Sequence, residues 1–322
     1  MLKVLDVQDL TVSFSIQGRK LQAVRGISFE LFQGEAIGIV GESGCGKSVT
    51  VQSLTRLIPS PPSQIESGRV LLGDIDLLQL FDQRLRAVRG REIGMIFQDP
   101  MTALNPTMKI GLQIQEALLY HRLASPKEAE ANAIELLHLV GIPEPEIRYS
   151  QYPHQLSGGM RQRAVIAIAL AAKPRILIAD EPTTALDPTI QTQILDLLKQ
   201  LRNRLNMSLI LITHDIGVVA SMCDRVIVMY AGKIVEVGSA ADVLNSPQHP
   251  YTRLLLQSLP RLDAAHGQTL SAIDGSPPSL FSPPPGCPFT DRCPHAMKIC
   301  LEEFPPLFSR ARCHLHDPRC RP

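Results

Sequence analysis

A glycine-rich stretch, GESGCGKS, runs from Gly41 to Ser48 and carries the residue types that bind nucleotide phosphates. In such a stretch the glycines let backbone amides approach the phosphates, the lysine reaches the β- and γ-phosphates, and the following hydroxyl binds Mg²⁺. An ordinary glycine-rich turn could carry the same letters. We expect a nucleotide to be bound by Gly41, Glu42, Ser43, Gly44, Cys45, Gly46, Lys47, Ser48 and Val49.

Three further segments carry groups that could act on a bound nucleotide. Gln98 lies about fifty residues after the glycine-rich stretch, RILIADEP contains Asp180 and Glu181, and His214 closes the apolar run LILITH. Asp180 can hold Mg²⁺ through water, which leaves Glu181 to act as general base. Gln98 can coordinate both the metal and the attacking water, and His214 can contact the γ-phosphate. Singly, such a histidine is more often a surface cap, and a lone glutamine carries almost no information.

Regular elements must position these groups. AIGIV, residues 36–40, is typical of a buried strand, and SVTVQSLTRLI, residues 48–58, predicts a helix stopped by Pro59. LSGGM begins a predicted helix from Ser157 to Ala171, whose amide-rich N-terminus can meet a phosphate. After this helix, strands and helices alternate through RILIAD, LILIT, RVIVMYAG and IVEVG. This order predicts a parallel α/β sheet.

Two other regions have their own patterns. The first thirty-five residues alternate as strands do, about a polar turn from Gln17 to Lys20, and predict antiparallel strands. Within the stretch from about residue 101 to 172, Ser125-Pro126-Lys127-Glu128 reads as a capping box with proline at the first helical position. The helix that it begins is predicted to end at Gly141.

Together with Ala185-Leu186-Asp187, these motifs resemble the nucleotide-binding domain of an ABC ATPase over about residues 3–240. The resemblance implies an α/β fold, a P-loop ABC ATPase domain with a parallel core sheet, an antiparallel β subdomain and a helical subdomain at about 101–172. It also implies that the nucleotide is ATP and that Phe14 stacks on its adenine, although an aromatic residue in a strand is more often part of the core.

The resemblance further implies that two ATPase subunits share each site. The chain holds one P-loop and one LSGGM, so its signature residues would act on ATP bound by the partner, and a monomer should be nearly inactive. The residues expected to act in trans are Ser157, Gly158, Gly159 and Asp187.

The C-terminal part has a different composition, with a high content of proline. HPYTRLLLQSLPRL runs from His249 to Leu262, and eleven of the 26 prolines lie in residues 277–322. HPYT and the cysteines after it resemble the C-terminal extension of the ATPases of oligopeptide and dipeptide importers, whose relatives also handle nickel complexes and antimicrobial peptides. We therefore predict a nucleotide-binding domain over 1–240 and a small irregular Cys/Pro-rich extension over 241–322.

Seven cysteines divide between the two parts. Cys45 and Cys223 lie in the ATPase region; near a helix N-terminus and Lys47, Cys45 is expected to favour the thiolate, or else to be inert. The spacing of the tail cysteines matches neither a zinc ribbon nor the common ferredoxin patterns, and disulfides are disfavoured in a reducing cytosol. The importer resemblance implies a [4Fe-4S] cluster bound by Cys287, Cys293, Cys300 and Cys313. Cys320 could replace Cys313 as the last ligand. A zinc site and unligated thiols are the alternatives to a cluster.

Composition limits the function classes. Lys and Arg number 32 against 31 Asp and Glu, which argues against a nucleic-acid-coating surface or a polybasic membrane anchor. The longest apolar runs fall short of the roughly 20 residues that span a bilayer, and MLKVLDVQDL lacks the features of a signal peptide. We expect a peripheral protein on the cytoplasmic face of the cell's inner membrane, with no nucleic-acid partner.

These observations predict the ATP-hydrolysing subunit of an importer of dipeptides or oligopeptides. The implied partners are a second ATPase that is a sibling chain, two transmembrane permease subunits, and an external solute-binding protein. QDPMTALNP, residues 98–106, resembles the segment that receives a permease's coupling helices, but it also reads as a proline-punctuated loop. Alternatives are uptake of nickel or antimicrobial peptides, an exporter half, or a soluble ABC ATPase of DNA repair or translation. Exporters commonly carry a fused membrane span. Soluble ABC ATPases of DNA repair or translation usually carry two ATPase cassettes or zinc modules.

Overall fold

The computed structural model describes residues 2–184, 186–258 and 273–320; Ala185 and residues 259–262 of the predicted HPYTRLLLQSLPRL segment lie outside them. In this part of the chain the strands are β1 (Lys3–Ile16), β2 (Arg19–Phe32), β3 (Ala36–Val40), β4 (Ser63–Leu72), β5 (Ile75–Asp76), β6 (Ile93–Ile96), β7 (Ile176–Asp180), β8 (Ser208–Ile212), β9 (Arg225–Tyr230) and β10 (Lys233–Ser239). The α-helices are α1 (Lys47–Leu54), α2 (Asp82–Val88), α3 (Pro100–Ala103), α4 (Ile110–Tyr120), α5 (Ala129–Leu139), α6 (Pro145–Tyr149), α7 (Gly158–Leu170), α8 (Pro188–Leu205), α9 (Ile216–Met222), α10 (Ala240–Asn245), α11 (Pro250–Gln257) and α12 (Lys298–Glu302).

One compact unit, the P-loop unit, consists of Lys3–Leu31, Ile37–Leu78 and Thr213–Pro322. It contains a four-stranded sheet in the order β2-β1-β4-β5, in which β1 and β4 run antiparallel with Phe14 opposite Ser63. In the same unit β3 pairs with β9 in parallel, and β9 pairs with β10 in antiparallel orientation. Every residue of β3 is buried, as its apolar sequence predicts.

The other compact unit, the acidic-strand unit, consists of Met1–Leu2, Phe32–Ala36 and Gln79–Ile212. Its strands β6, β7 and β8 are parallel neighbours, with Ile93 opposite Ile176 and Ile176 opposite Ser208. All residues of β7 and β8 are buried, which fits the continuous apolar runs of a sheet covered on both faces. Helices α2 to α8 belong to this unit.

Three helix predictions met different outcomes. The signature helix covers Gly158–Leu170 with Ser157 as its N-cap, close to the prediction. The helix after the P-loop ends at Leu54 and not at residue 58, because Arg56 takes a left-handed backbone conformation with φ 52°. The helix predicted from Ser125 begins only at Ala129: Ser125 donates its amide and hydroxyl to the Glu128 carboxylate, which forms a separate turn before the helix.

Candidate nucleotide site and cysteine cavity

The glycine-rich loop lies between β3 and α1 in the P-loop unit. Gly41 has φ 150° and Gly46 has φ 101°, and a β-carbon would collide with the carbonyl oxygen of Met229 at the first position and of Ala23 at the second. Both positions therefore require glycine, and the loop keeps its backbone close to the rest of the unit with no side chain between. This is the type of cradle in which backbone amides can face a phosphate.

Lys47 begins α1 and is buried. Its Nζ donates to the carbonyl oxygens of Gly41 at 2.8 Å and Glu42 at 3.0 Å. Ser48 follows in the first turn of α1, and the Thr50 hydroxyl donates to the Gly46 carbonyl at 2.9 Å, which closes the loop onto the helix. The lysine ammonium group is therefore held against the backbone of the loop, where a phosphate site requires a positive charge.

The structure corrects the expectation for Cys45. Its side chain is only 4% exposed, and burial raises the pKa of the thiol even though Lys47 opposes the rise. The predicted thiolate is wrong, because desolvation of the sulfur outweighs the nearby positive charge.

Two other predicted residues lie in the same unit. Phe14 is half-buried on β1, and His214 is exposed in the segment before α9. The next residue, Asp215, caps α9 by accepting hydrogen bonds from the amides of Gly217 at 2.8 Å and Val218 at 3.3 Å. The segment around His214 is therefore anchored by its neighbour, while the adenine and phosphate roles of Phe14 and His214 stay predictions.

The predicted acidic residues lie at the end of β7 in the acidic-strand unit. Asp180 is buried at the strand end, and Glu181 takes a left-handed backbone conformation with φ 47°. The structure brings Gln98 and Glu181 together: Gln98 Nε2 donates to Glu181 Oε2 at 3.1 Å, and the Thr184 hydroxyl donates to the same oxygen at 2.8 Å. Two donors therefore orient this carboxylate, and its unusual backbone is of the kind that clusters at functional sites.

The signature residues lie in the same acidic-strand unit. Ser157 and Gly158 are exposed, and Ser157 Oγ accepts a hydrogen bond from the Met160 amide at 3.3 Å. Gly159 follows in the first turn of α7. Asp187 is exposed and caps α8, accepting from the Ile190 amide at 3.0 Å. A helix N-terminus is therefore open to solvent at the signature, where it can meet an anion.

Four of the five tail cysteines line one small cavity in the P-loop unit. Cys287 donates its amide to the Cys300 carbonyl at 2.8 Å, and the Thr290 hydroxyl donates to the carbonyls of both residues. None of the seven cysteines, all of which lie in the described residues, forms a disulfide. The cysteines that line the cavity are Cys287, Cys293, Cys300 and Cys313.

Burial controls the ionisation of these thiols. It raises the pKa of Cys287 to about 12 and that of Cys313 to about 11, with further increases from the neighbouring cysteines. The pKa of Cys293 is also raised by burial. Burial therefore favours the neutral thiol at Cys287, Cys293 and Cys313, and a metal that bound them would have to displace their protons.

Cys320 does not line this cavity. Its thiol instead lies with His314 and Asp317, and the donor atoms of these three residues lie within 4.8 Å of one another. The alternative in which Cys320 replaces Cys313 is therefore not favoured by the structure.

Sequence reasoning missed three residues of these sites. Thr184, which holds the Glu181 carboxylate, could have been found from its position three residues after the acidic pair. Tyr251 and Arg292 contact Glu42 of the glycine-rich loop from 209 and 250 residues away, and no local pattern signals such contacts.

Comparisons with known proteins agree with this arrangement. Residues 24–184 match the family model described as ABC transporter, and residues 235–300 match the model of the oligopeptide/dipeptide transporter C-terminal region. The chain is 57% identical to the dipeptide transport ATP-binding protein DppD of Bacillus subtilis, over 98% of this chain and 93% of DppD. It is 48% identical to the oligopeptide transport ATP-binding protein OppD of Escherichia coli, over 94% of this chain and 90% of OppD.

The fold is also similar to solved structures. One is the dimeric post-hydrolysis state of the ATP-binding cassette MJ0796 bound to ADP and Pi, with a TM-score of 0.66 and 28% identity over 73% of this chain and 98% of that one. Another is cbiO1 from Clostridium perfringens, part of the ABC transporter complex cbiONQ, with a TM-score of 0.63 and 29% identity over 76% of this chain and 92% of that one.

Proposed function

Since the chain belongs to the family of ABC transporter ATP-binding proteins, we propose that it hydrolyses ATP to drive the import of dipeptides or oligopeptides through a separate membrane permease. The observation that carries this proposal is the match of residues 235–300 to the C-terminal region of oligopeptide/dipeptide transporters. Relatives of nearly the same length, at 48% and 57% identity, are named for dipeptide or oligopeptide transport.

The P-loop supplies the ATP-binding function. Its backbone at Gly41 and Gly46 admits no side chain, and Lys47 brings positive charge to the loop. Ser48, Gln98 and Asp180 have the oxygen donors that Mg²⁺ prefers. When bound, Mg²⁺ neutralises the charge that develops on the phosphates during hydrolysis.

Glu181 is the general base in this account. It takes a proton from the water that attacks the γ-phosphate, and hydrogen bonds from Gln98 and Thr184 hold its carboxylate in one orientation. His214 contacts the γ-phosphate as a hydrogen-bonding group. These roles use the predicted residues and add Thr184 as an orienting group.

The signature acts in trans. Ser157 and Gly158 are exposed at the N-terminus of α7, Gly159 follows them, and Asp187 is exposed at the cap of α8, so all can face ATP held by a second subunit. The dimer of MJ0796 bound to ADP and Pi supports a paired arrangement. We assign the second position to a sibling ATPase.

The remaining partners follow from the transport role. Two transmembrane permease subunits form the path, and an external solute-binding protein delivers the peptide. In the described part of the chain no helix is long and apolar enough to cross a membrane. We place the subunit on the cytoplasmic face of the membrane, with residues 98–106, including the half-exposed Met101, against the permease.

The cysteine cavity holds a [4Fe-4S] cluster in this proposal. Four cysteines line the cavity, and four cysteines are the ligand set of such clusters. A cluster bound by these cysteines would cross-link the Pro-rich C-terminal extension, and zinc remains the alternative.

Purification from membranes tests the transport role. The tagged chain, solubilised with detergent, should co-purify with two membrane-spanning permease subunits and a second ATPase. The complex should hydrolyse ATP faster when a dipeptide and its binding protein are added. A chain that purifies alone, or whose complex responds to no dipeptide or oligopeptide, would contradict the proposal.

A further inference from the structure

Arg292, in the C-terminal extension that we call the tail (residues 241–322), contacts the P-loop. This residue directly precedes the cavity cysteine Cys293, and its side chain is only 6% exposed. Arg292 Nη1 donates to Glu42 Oε2 of the P-loop at 2.8 Å. Its Nε and Nη2 donate to the carbonyls of Asp274 at 2.9 Å and Ile273 at 3.0 Å. The Arg292 guanidinium therefore joins the P-loop to the segment that contains Ile273 and Asp274.

A second connection runs through Tyr251 on α11. Its hydroxyl oxygen accepts a hydrogen bond from the backbone amide of Glu42 at 2.8 Å. The Tyr251 ring is fully buried and packs against Phe289, which lines the cysteine cavity, with ring centroids 5.3 Å apart. Tyr230, which also accepts from Arg292, packs on the same two rings. Aromatic packing thus connects the cavity wall to a P-loop amide.

The amide that Tyr251 holds belongs to the peptide group whose carbonyl is that of Gly41. This carbonyl accepts from Lys47 Nζ at 2.8 Å. A peptide group is planar, so an anchor on its N–H side fixes the direction of its C=O side. Tyr251 therefore orients the group that anchors the P-loop lysine.

Both contacts persist across the neutral pH range. Burial opposes the charge on Arg292, but hydrogen bonds to Glu42 and Tyr230 outweigh it and raise the pKa of the guanidinium. Burial also raises the pKa of Tyr251, so its hydroxyl remains neutral. The groups that join the tail to the P-loop do not change charge when the pH varies around 7.

We propose that Tyr251 and Arg292 are positioning residues of the nucleotide site, through which the packing of the tail around the cysteine cavity sets the affinity for ATP. The inference rests on the proposed role of the P-loop in binding ATP. It assigns to the C-terminal extension an effect on nucleotide binding in its own subunit.

The first test is Tyr251→Phe in the full chain, with a fluorescent ATP analogue as the probe. The ring remains but the Glu42 amide loses its buried acceptor, so we expect Kd to rise about 5- to 30-fold. Tyr120→Phe is the control, because Tyr120 is exposed on α4. Thermal melting checks that both variants fold. Unchanged or tighter binding by Tyr251→Phe overturns the inference, whereas a wild-type chain that binds no nucleotide contradicts the proposed function itself.

The second test is a double-mutant cycle of Arg292→Met and Cys293→Ser. Each change should weaken binding of the analogue, and the pair together should weaken it no more than the stronger single change, because both act through one connection. Arg310→Met is the control, since Arg310 binds Asp242 and the Ser246 carbonyl. Additive effects, or no effect of Cys293→Ser, overturn the link from the cavity to the P-loop.

A further variant removes the same contact from the P-loop side. Glu42→Gln breaks the charge pair without altering the tail, so it serves if Arg292→Met does not fold. It should raise Kd in the same direction as Arg292→Met, and wild-type affinity would overturn the role of Arg292.

Discussion

Replacement of Glu181 by glutamine tests the assignment of the general base with a minimal structural change. Glu181 Oε2 accepts hydrogen bonds from Gln98 at 3.1 Å and Thr184 at 2.8 Å. The amide oxygen of glutamine can accept the same two hydrogen bonds, so the side chain should remain in place. Only its capacity to take a proton is lost. We therefore expect an unchanged fold and an unchanged affinity for ATP.

The size of the effect separates a base from an orienting group. General-base catalysis contributes about 10²- to 10⁴-fold to a rate, and kcat should fall by that factor, which is about 2.7–5.4 kcal/mol in the barrier. Loss of one hydrogen bond to a charged group costs about 1.5–3 kcal/mol. Thr184→Val, which removes such a bond from the Glu181 carboxylate, should therefore slow hydrolysis by about 150-fold at most, and by less than Glu181→Gln.

The assay is steady-state ATP hydrolysis by the assembled complex, with filter binding of labelled ATP to measure affinity. Glu181→Gln should retain ATP without turning it over, and Thr184→Val should keep measurable turnover. Near-normal turnover by Glu181→Gln, or a loss no larger than that of Thr184→Val, would refute Glu181 as the base.

Other predictions address the remaining sites. Lys47→Ala should abolish ATP binding itself, measured by the same filter assay, since its charge serves the bound ground state as well as the transition state. Ser157→Arg should trap unhydrolysed nucleotide at the partner's P-loop; a defect confined to this chain's own P-loop contradicts action in trans. Because burial raises the pKa of Cys45, its alkylation should be slow at pH 7 and accelerate towards high pH; rapid labelling at pH 7 contradicts this. Anaerobically purified protein should be brown, with about four iron and four sulfide per chain. Cys293→Ser should bleach it and Cys223→Ser should not, while colourless protein with one zinc would favour the zinc alternative.

Much of the fold could be predicted from local pattern. The α/β ABC ATPase class is confirmed, and the signature helix was placed within a residue at each end because a serine N-cap precedes a long helical stretch. β7 and β8 were predicted from continuous apolar runs. The early end of α1 was not, since the left-handed conformation of Arg56 has no signal in a sequence that continues with apolar residues.

The sites divide in the same way. Contiguous motifs identified the P-loop, whereas the hydrogen bond between Gln98 and Glu181 was not predicted and comes from the structure. The thiolate predicted at Cys45 failed because burial, which depends on the packing of distant segments, outweighs the local charge. Contacts of Tyr251 and Arg292 with Glu42 also depend on tertiary packing, and residue types alone could not predict them.

Peptide uptake by reconstituted vesicles tests the central claim most directly. Vesicles that contain the permease, both ATPase subunits and internal ATP, with the solute-binding protein outside, would be supplied with a labelled dipeptide or oligopeptide. We predict accumulation that requires ATP and this subunit, and that Glu181→Gln in this subunit reduces it. ATP hydrolysis without peptide accumulation, or accumulation that persists when this subunit is omitted, would contradict the account.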